Sequence, residues 1–265
     1  MQEQSRVQIG VVPIDVVSME QAVERVGRYL DSPSNHPFVI SGANAHFVNV
    51  AQKDQHLASF LSSSNLNVAD GMSLVLAARF LRSNLPERVT GIDLMIELCG
   101  LAERTGRTVY FFGGMEGAAY GAAKALKVRF PSLKIVGSDR PPMGTEFDPA
   151  RVAEVRERIT AARPDFLFVC LGVPRQERWI AEFAADLPVK VVMGNGAALD
   201  VLAGFFTRPP QWIQKIGMEW FYRLCIEPQR LWKRYLLGNL QYAQTVLLQA
   251  AELRIHSTPA SAATR

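Results

Sequence analysis

Cysteine is scarce in this chain. Its 265 residues hold three, Cys99, Cys170 and Cys225. They stand singly, which excludes a disulfide framework and a zinc spacing. Cys99 and Cys170 lie in apolar runs and read as buried thiols of a reducing cytosol. Histidine is also rare, and His36, His56 and His256 show no ligand spacing, so a zinc site is not expected. No apolar run approaches the ~20 residues that span a bilayer. The opening MQEQSRVQIG lacks the basic-then-apolar layout of a secretion signal, so a cytoplasmic location is expected. There is no Gly-Lys-Ser/Thr phosphate loop, no complete dinucleotide fingerprint, no Asp-x-Asp pair and no internal repeat. The last residues, STPASAATR, are small, polar and aperiodic, and disorder is expected there.

What the chain does have is a concentrated charge surplus. Between residues 207 and 239 lie six basic residues, Arg208, Lys215, Arg223, Arg230, Lys233 and Arg234, against two acids, Glu219 and Glu227. That excess of four equals the net charge of the whole protein, so the remainder is neutral. Trp212, Trp220 and Trp232, three of the four tryptophans, share the segment. A basic, aromatic-rich appendage suits an anionic membrane surface or a phosphorylated ligand. Nucleic acid is not expected, because the basic residues alternate with buried-type aromatics and acids instead of forming an open patch. The expected organisation is a core over residues 1–206, a helical appendage over 207–253 and a disordered tail over 254–265.

Through the core, strand-like and helix-like segments alternate. Val7–Val12, Phe38–Ser41, Leu66–Val68, Thr108–Phe112, Lys134–Gly137, Phe166–Leu171 and Val189–Met193 read as strands. Helical patterns cover Ala45–Leu61, Ser73–Leu81, Ile92–Arg104, Pro149–Ala162 and Arg175–Ala185, and another runs up to Phe130. Ser18 with Gln21 predicts a capping box, and Thr90 predicts a cap. Continuous apolar strands between helices predict an α/β fold, a Rossmann-like parallel sheet with helices on both faces. Ligands of such sheets gather at the carboxyl ends of the strands. Three glycine-bearing turns follow strands there: Gly113-Gly114, Gly172-Val173-Pro174 and Gly194-Asn195-Gly196. Each is either a tight turn or a place where backbone N–H groups meet a phosphate. Asp70, after the third strand, is either the cap of the next helix or a general base. Asn44 and His46 fall on the same rim.

Six stretches carry a resemblance: ANAHFVNVA (43–51), VADGMSLVLAARFL (68–81), PERVTGIDL (86–94), FFGG (111–114), LGVPRQERWI (171–180) and the long block from Gly194 to Leu236. Together they resemble the bacterial WecG/TagA/CpsF glycosyltransferases, glycosyltransferase family 26, over nearly the whole chain after Val7. The resemblance implies an inverting hexosyltransferase. It would move a sugar of the N-acetylmannosamine or glucose type from a UDP-sugar to a polyprenyl-diphosphate-linked saccharide. It also implies work at the inner face of the cell membrane, in assembly of wall, capsule or exopolysaccharide. Asp70 then matches the catalytic base, and Asn44, Arg88 and Gln176 match substrate-binding pocket residues. Many members have threonine two residues before that asparagine; here the position is Gly42.

Glycosyl transfer leaves negative charge on the departing UDP. With no Asp-x-Asp pair to hold a metal, arginines are expected to absorb that charge, and no cofactor is expected. Arg223, Arg230 and Arg234 fall on one helical stripe that Pro228 divides into two helices. With Gly113, Gly114 and Asn195 they complete the expected substrate-binding set. A nicotinamide- or methyl-donor enzyme, or a membrane-binding module without activity, would also fit the sheet and the tail. A homo-oligomer is left open.

Overall fold

The computed structural model describes residues 5–34 and 36–256. The chain opens with a hairpin, β1 (Arg6–Ile9) and β2 (Val12–Asp15), paired antiparallel with Ile9 opposite Val12. One continuous strand over Val7–Val12 was expected. The chain instead reverses at Gly10, whose φ of +58° suits a two-residue hairpin turn. Helix α1 (Met19–Leu30) follows, and its capping box is present: Ser18 accepts from the Gln21 N–H while Gln21 accepts from the Ser18 N–H. Next come β3 (Phe38–Ala43), α2 (Ala45–Ala51), α3 (Gln55–Ser63), β4 (Leu66–Ala69), α4 (Met72–Phe80) and α5 (Gly91–Arg104). The single helix expected over Ala45–Leu61 is two. Asp54 breaks it by capping α3, accepting from His56 N–H and Leu57 N–H, and its carboxylate also pairs with Arg178 at 2.7 Å.

The second half alternates β5 (Thr108–Gly113), α6 (Ala118–Arg129), β6 (Lys134–Asp139), α7 (Pro149–Ala162), β7 (Phe166–Cys170), α8 (Arg175–Phe183) and β8 (Val191–Gly194). Short α9 (Ala198–Leu202) and α10 (Gln211–Lys215) lead to α11 (Glu219–Ile226), α12 (Pro228–Trp232) and the long α13 (Gly238–His256). Pro228 sits in the first turn of α12, where its missing N–H is no loss. The last helix passes the expected boundary at residue 253; the tail from residue 257 lies outside the described residues.

Strands β3 to β8 form one parallel sheet in the order β4-β3-β8-β7-β5-β6. Alternate side chains enter two cores, as a period of two requires. Val109 and Phe111 of β5 join Phe166 and Phe168 on the face that α1, α5, α6 and α9 cover. Tyr110 and Phe112 join Leu167, Val169 and Trp179 on the other face, under α2, α3, α4 and α8. Each such apolar side chain contributes roughly 1.5–3 kcal/mol on burial. Trp179, the one tryptophan outside the basic segment, is fully buried, with its ring 4.6 Å from that of Phe112.

The appendage is docked on the core. Tyr242, Val246 and Ala250, four residues apart on α13, are buried in the second core. Polar bonds fix the register: Asn49 donates to Gly238 O at 2.7 Å, Tyr242 OH to Ser73 O at 3.0 Å, and Gln249 binds both Gly10 N–H and Gln8 O. Cys99 and Cys170 are buried as expected, and desolvation pushes both thiols up to about 12.

Candidate active site

The order of strands decides which turns meet. β3 and β8 are central neighbours, flanked by β4 and β7, so residues following these four strands converge on one rim. Strand β5 lies beyond β7. The Gly113-Gly114 turn sits beside Cys170 on the far side of β7 and lines neither of the two clefts described below. An acid already fills it: the Asp200 carboxylate accepts the Met115 N–H at 2.6 Å.

Asp70 follows β4. Its own N–H extends the sheet by donating to Ala43 O at 2.8 Å. Its carboxylate does not cap the helix that follows; Gly71 holds the cap position of α4 with no side-chain bond. Instead Oδ1 accepts the Gly91 N–H at 2.8 Å, at the start of α5, and Oδ2 lies 3.4 Å from the Asn44 side-chain amide that donates to it. Asn44 caps α2 through its oxygen, which accepts from His46 N–H and Phe47 N–H. That use of the oxygen turns its NH2 group toward Asp70. Burial raises the Asp70 pKa. The bonds from Gly91 and Asn44 oppose the rise, the Glu219 charge adds to it, and Arg88 opposes it.

Gly91 joins two arms of the site. Its carbonyl accepts from the Asn195 amide at 3.0 Å, so Asn195 after β8 is tied through Gly91 to Asp70. A Cβ there would fall 2.6 Å from Asn195 Oδ1, so the close approach needs glycine. Gln176 ties the other arm. Its oxygen accepts from Gly172 N–H at 3.1 Å and Gly196 N–H at 2.7 Å, joining the turns after β7 and β8, while its NH2 donates to Glu177 at 2.7 Å. Gln176 and Glu177 are each 1% exposed. Desolvation pushes the Glu177 carboxyl up to about 7 against the pull of that bond.

Two clefts meet at Asp70. The larger, about 620 Å³, lies over the ends of β3, β7 and β8 and is bordered by Gly42, Gly172, Asn195, Gly196, Thr207 and Arg208. The smaller, about 450 Å³, is bordered by Met72, Leu76, Arg88, Trp220, Tyr235 and Tyr242. Asn44, His46, Asp70 and Glu219 border both.

Of the residues expected from sequence, Asp70, Asn44, Arg88, Gln176 and Asn195 are thus brought together, and Gly113 and Gly114 are not. The side chains of Arg223, Arg230 and Arg234 lie outside the described residues; their backbone belongs to α11, α12 and the turn that follows. Two contributors were not singled out. Glu219 of α11 pairs with Arg88. Arg208 forms a two-point pair with Asp93 at 2.7 and 3.0 Å. Burial raises the Asp93 pKa, but the bonds from Arg208 and Thr90 outweigh it and hold the carboxyl below its ordinary value. Glu219 was legible as an acid standing in a basic segment. Arg208 had no signal beyond its charge. Among the described residues, no three His, Cys, Asp or Glu side chains gather as a metal centre requires.

A carboxylate between two clefts on the rim of a parallel sheet belongs to a two-substrate group-transfer enzyme. The chain belongs to the glycosyl transferase WecG/TagA/CpsF family, whose model matches residues 7–256, and it is a glycosyltransferase. It is 36% identical over 210 residues to the N-acetylglucosaminyldiphosphoundecaprenol N-acetyl-beta-D-mannosaminyltransferase of Bacillus subtilis (strain 168), covering 79% of this chain and 78% of the relative. It is 30% identical over 250 residues to the enzyme of the same name from Staphylococcus aureus (strain MRSA252), covering 94% of each.

Proposed function

We propose that this protein transfers a sugar, with inversion, from a UDP-sugar to a polyprenyl-diphosphate-linked saccharide at the inner membrane face, in cell-surface polysaccharide synthesis. The carrying observation is Asp70, held by Gly91 and Asn44 where the two clefts join. The larger cleft, over glycine turns at strand ends, takes the UDP-sugar. The smaller, with its apolar and aromatic walls, takes the acceptor. Two relatives bear names that specify an undecaprenyl-diphosphate-linked acceptor and an N-acetylmannosaminyl group, and both support this reading.

In the reaction, Asp70 takes the proton of the acceptor hydroxyl while that oxygen bonds to the anomeric carbon. The bond from that carbon to UDP breaks on the opposite face, and UDP leaves with the electron pair. We assign Arg223, Arg230 and Arg234 to the diphosphate, since their segment walls both clefts. No Asp-x-Asp pair is present in the sequence, so turnover is expected to survive a chelator.

Membrane contact rests on the surface of the appendage. Trp212 is 65% exposed, Ile216 61% and Leu240 69%, and Leu236, Leu237, Leu247 and Leu248 are exposed as well. Helix α13 thus carries Leu240, Leu247 and Leu248 on its exposed side, beside Gln241 and Gln244, while Tyr242, Val246 and Ala250 dock on the core. Among the described residues no helix is long and apolar enough to cross a membrane.

The test is incubation with a panel of UDP-sugars and a polyprenyl-diphosphate-saccharide analogue, read by mass. The expected product is the acceptor plus one hexosyl unit, dependent on Asp70. If no UDP-sugar yields such a product, the reading fails.

A further inference from the structure

Asp70 depends on the least constrained kind of backbone. The Gly91 N–H is the shorter of its two bonds, at 2.8 Å against 3.4 Å for the Asn44 amide. A side chain is excluded at position 91, because a Cβ would fall 2.6 Å from Asn195 Oδ1. Glycine does little to fix its own φ and ψ, so the conformation that aims this N–H has to be imposed by its neighbours.

The neighbours form a bonded hub from Arg88 to Asp93. Val89 N–H donates to Ala69 O at 3.0 Å, one residue before Asp70. Thr90 caps α5: its Oγ1 accepts from Asp93 N–H at 3.1 Å and donates to Asp93 Oδ2 at 2.6 Å. That exchange closes a ring around Gly91. Arg208 completes it from the appendage side, donating to Asp93 Oδ1 at 2.7 Å and to Oδ2 at 3.0 Å, which fixes the plane of the carboxylate. Gln214 steadies Arg208 in turn: its Oε1 accepts from Arg208 at 3.3 Å, and its amide donates to Pro209 O at 2.7 Å. At the other end of the hub, Arg88 pairs with Glu219. The appendage therefore grips the hub twice, with the charges reversed between the two grips.

We propose that Arg208 is a positioning residue for the transfer: through Asp93 it holds the first turn of α5, and so the Gly91 N–H, against Asp70. The inference rests on the reading of Asp70 as the base. It gives Arg208, although it borders the larger cleft, a different task from the arginines assigned to the diphosphate, because its guanidinium is already engaged at two points by Asp93.

The experiment compares the full chain with Arg208→Ala, Arg208→Lys, Asp93→Ala and the double alanine variant, using the soluble acceptor analogue and a UDP-sugar that the wild type transfers. Small misplacements of a reacting group cost up to roughly 10²-fold, so kcat is expected to fall about 10–10²-fold in each single alanine variant. Donor KM should stay within about threefold, since no ground-state contact to the donor is removed. The double variant should be no slower than the slower single one, because both changes cut the same connection. Arg208→Lys keeps the charge but cannot form the two-point pair, and its kcat should fall as well.

The pH profile separates positioning from charge. Asn44 of the α2 cap, Arg88 and Glu219 face Asp70 and are unchanged in every variant. Removing the negative charge of Asp93 would by itself move the acid limb of kcat/KM to lower pH. Slackening the Gly91 bond, which lowers the Asp70 pKa, moves that limb to higher pH, and this is the expected direction in Asp93→Ala. A limb moved to lower pH in Asp93→Ala, or losses that multiply in the double variant, overturns the proposal. So does a raised donor KM with unchanged kcat in Arg208→Ala, which would make Arg208 a direct donor contact. If Asp93→Ala fails to fold, Arg208→Lys decides, and wild-type kcat in that variant overturns the proposal. Near-normal turnover in Asp70→Asn overturns the reading of the base and this proposal with it.

Discussion

At the scale of single residues, Asp70 and Glu177 are acids that burial has shifted in the same direction for different ends. Asp70→Asn keeps the size of the side chain but removes its basicity, and its single amide oxygen can accept only one of the two bonds from Gly91 and Asn44. Turnover is expected to fall by roughly 10²–10⁴-fold. Because the folded state holds the Asp70 pKa above its ordinary value, ionised Asp70 destabilises the fold once the pH has passed that raised pKa. The base must be ionised to work, so kcat/KM should fall on the acid side at a higher pH than an ordinary aspartate would impose. Glu219→Gln removes a charge that raises Asp70, and the acid limb should then move to lower pH. An unmoved limb would mean that Asp70 is not the titrating base. Glu177 behaves as a stability element. Its carboxyl rises from 4.5 to about 7, so its contribution is complete below about 4.5 and lost as the pH climbs to about 7. Between pH 5 and 8 the melting temperature of the wild type should decline more steeply than that of Glu177→Gln.

At the scale of elements the appendage matters most, because the proposed function gives one segment two jobs. Arg230→Ala or Arg234→Ala is expected to weaken transfer even to a soluble acceptor, because the diphosphate loses a charge-assisted contact worth roughly 1.5–3 kcal/mol. Lys215→Ala, and Trp212→Ala with Leu240→Ser, should instead weaken binding to anionic vesicles in flotation while the soluble-acceptor rate stays close to wild type. Full activity in Arg230→Ala and Arg234→Ala would reduce the segment to an anchor. Deleting everything after Phe206 is a harsher change, because Tyr242, Val246 and Ala250 are part of the core. That deletion should abolish both vesicle binding and turnover. The start of α11 was legible as a motif with an acid in a basic run, but its pairing with Arg88 was not, since the partners are 131 residues apart in sequence.

For the whole molecule, the proposed metal-free chemistry and the proposed membrane attachment lead to separable measurements. Turnover is expected to persist in excess EDTA; complete loss restored by magnesium or manganese would contradict the assignment of leaving-group charge to arginine. Vesicle binding should weaken as salt rises from 0.05 to 0.5 M, because about 1 kcal/mol per basic residue near anionic lipid is screened over a Debye length. The apolar part of the attachment should remain.

Local chemistry was enough to determine the alternating elements, the capping box at Ser18, the cap at Thr90, the bounds of Pro149–Ala162 and the parallel character of the sheet. Each of these follows from neighbours within a few residues: a hydroxyl in reach of a free N–H, a proline at a first helical turn, a run of β-branched residues. Where two local signals competed, as at Gly10 and Asp54, the stronger turn or cap won and split what periodicity alone had joined. Strand order was the province of the tertiary structure. It placed β8 between β3 and β7, and so gathered Asp70, Asn44, Gln176 and Asn195 around the clefts while leaving Gly113 and Gly114 outside both. Composition and spacing hold no record of that order, because it is settled by which apolar faces pack best across the entire chain.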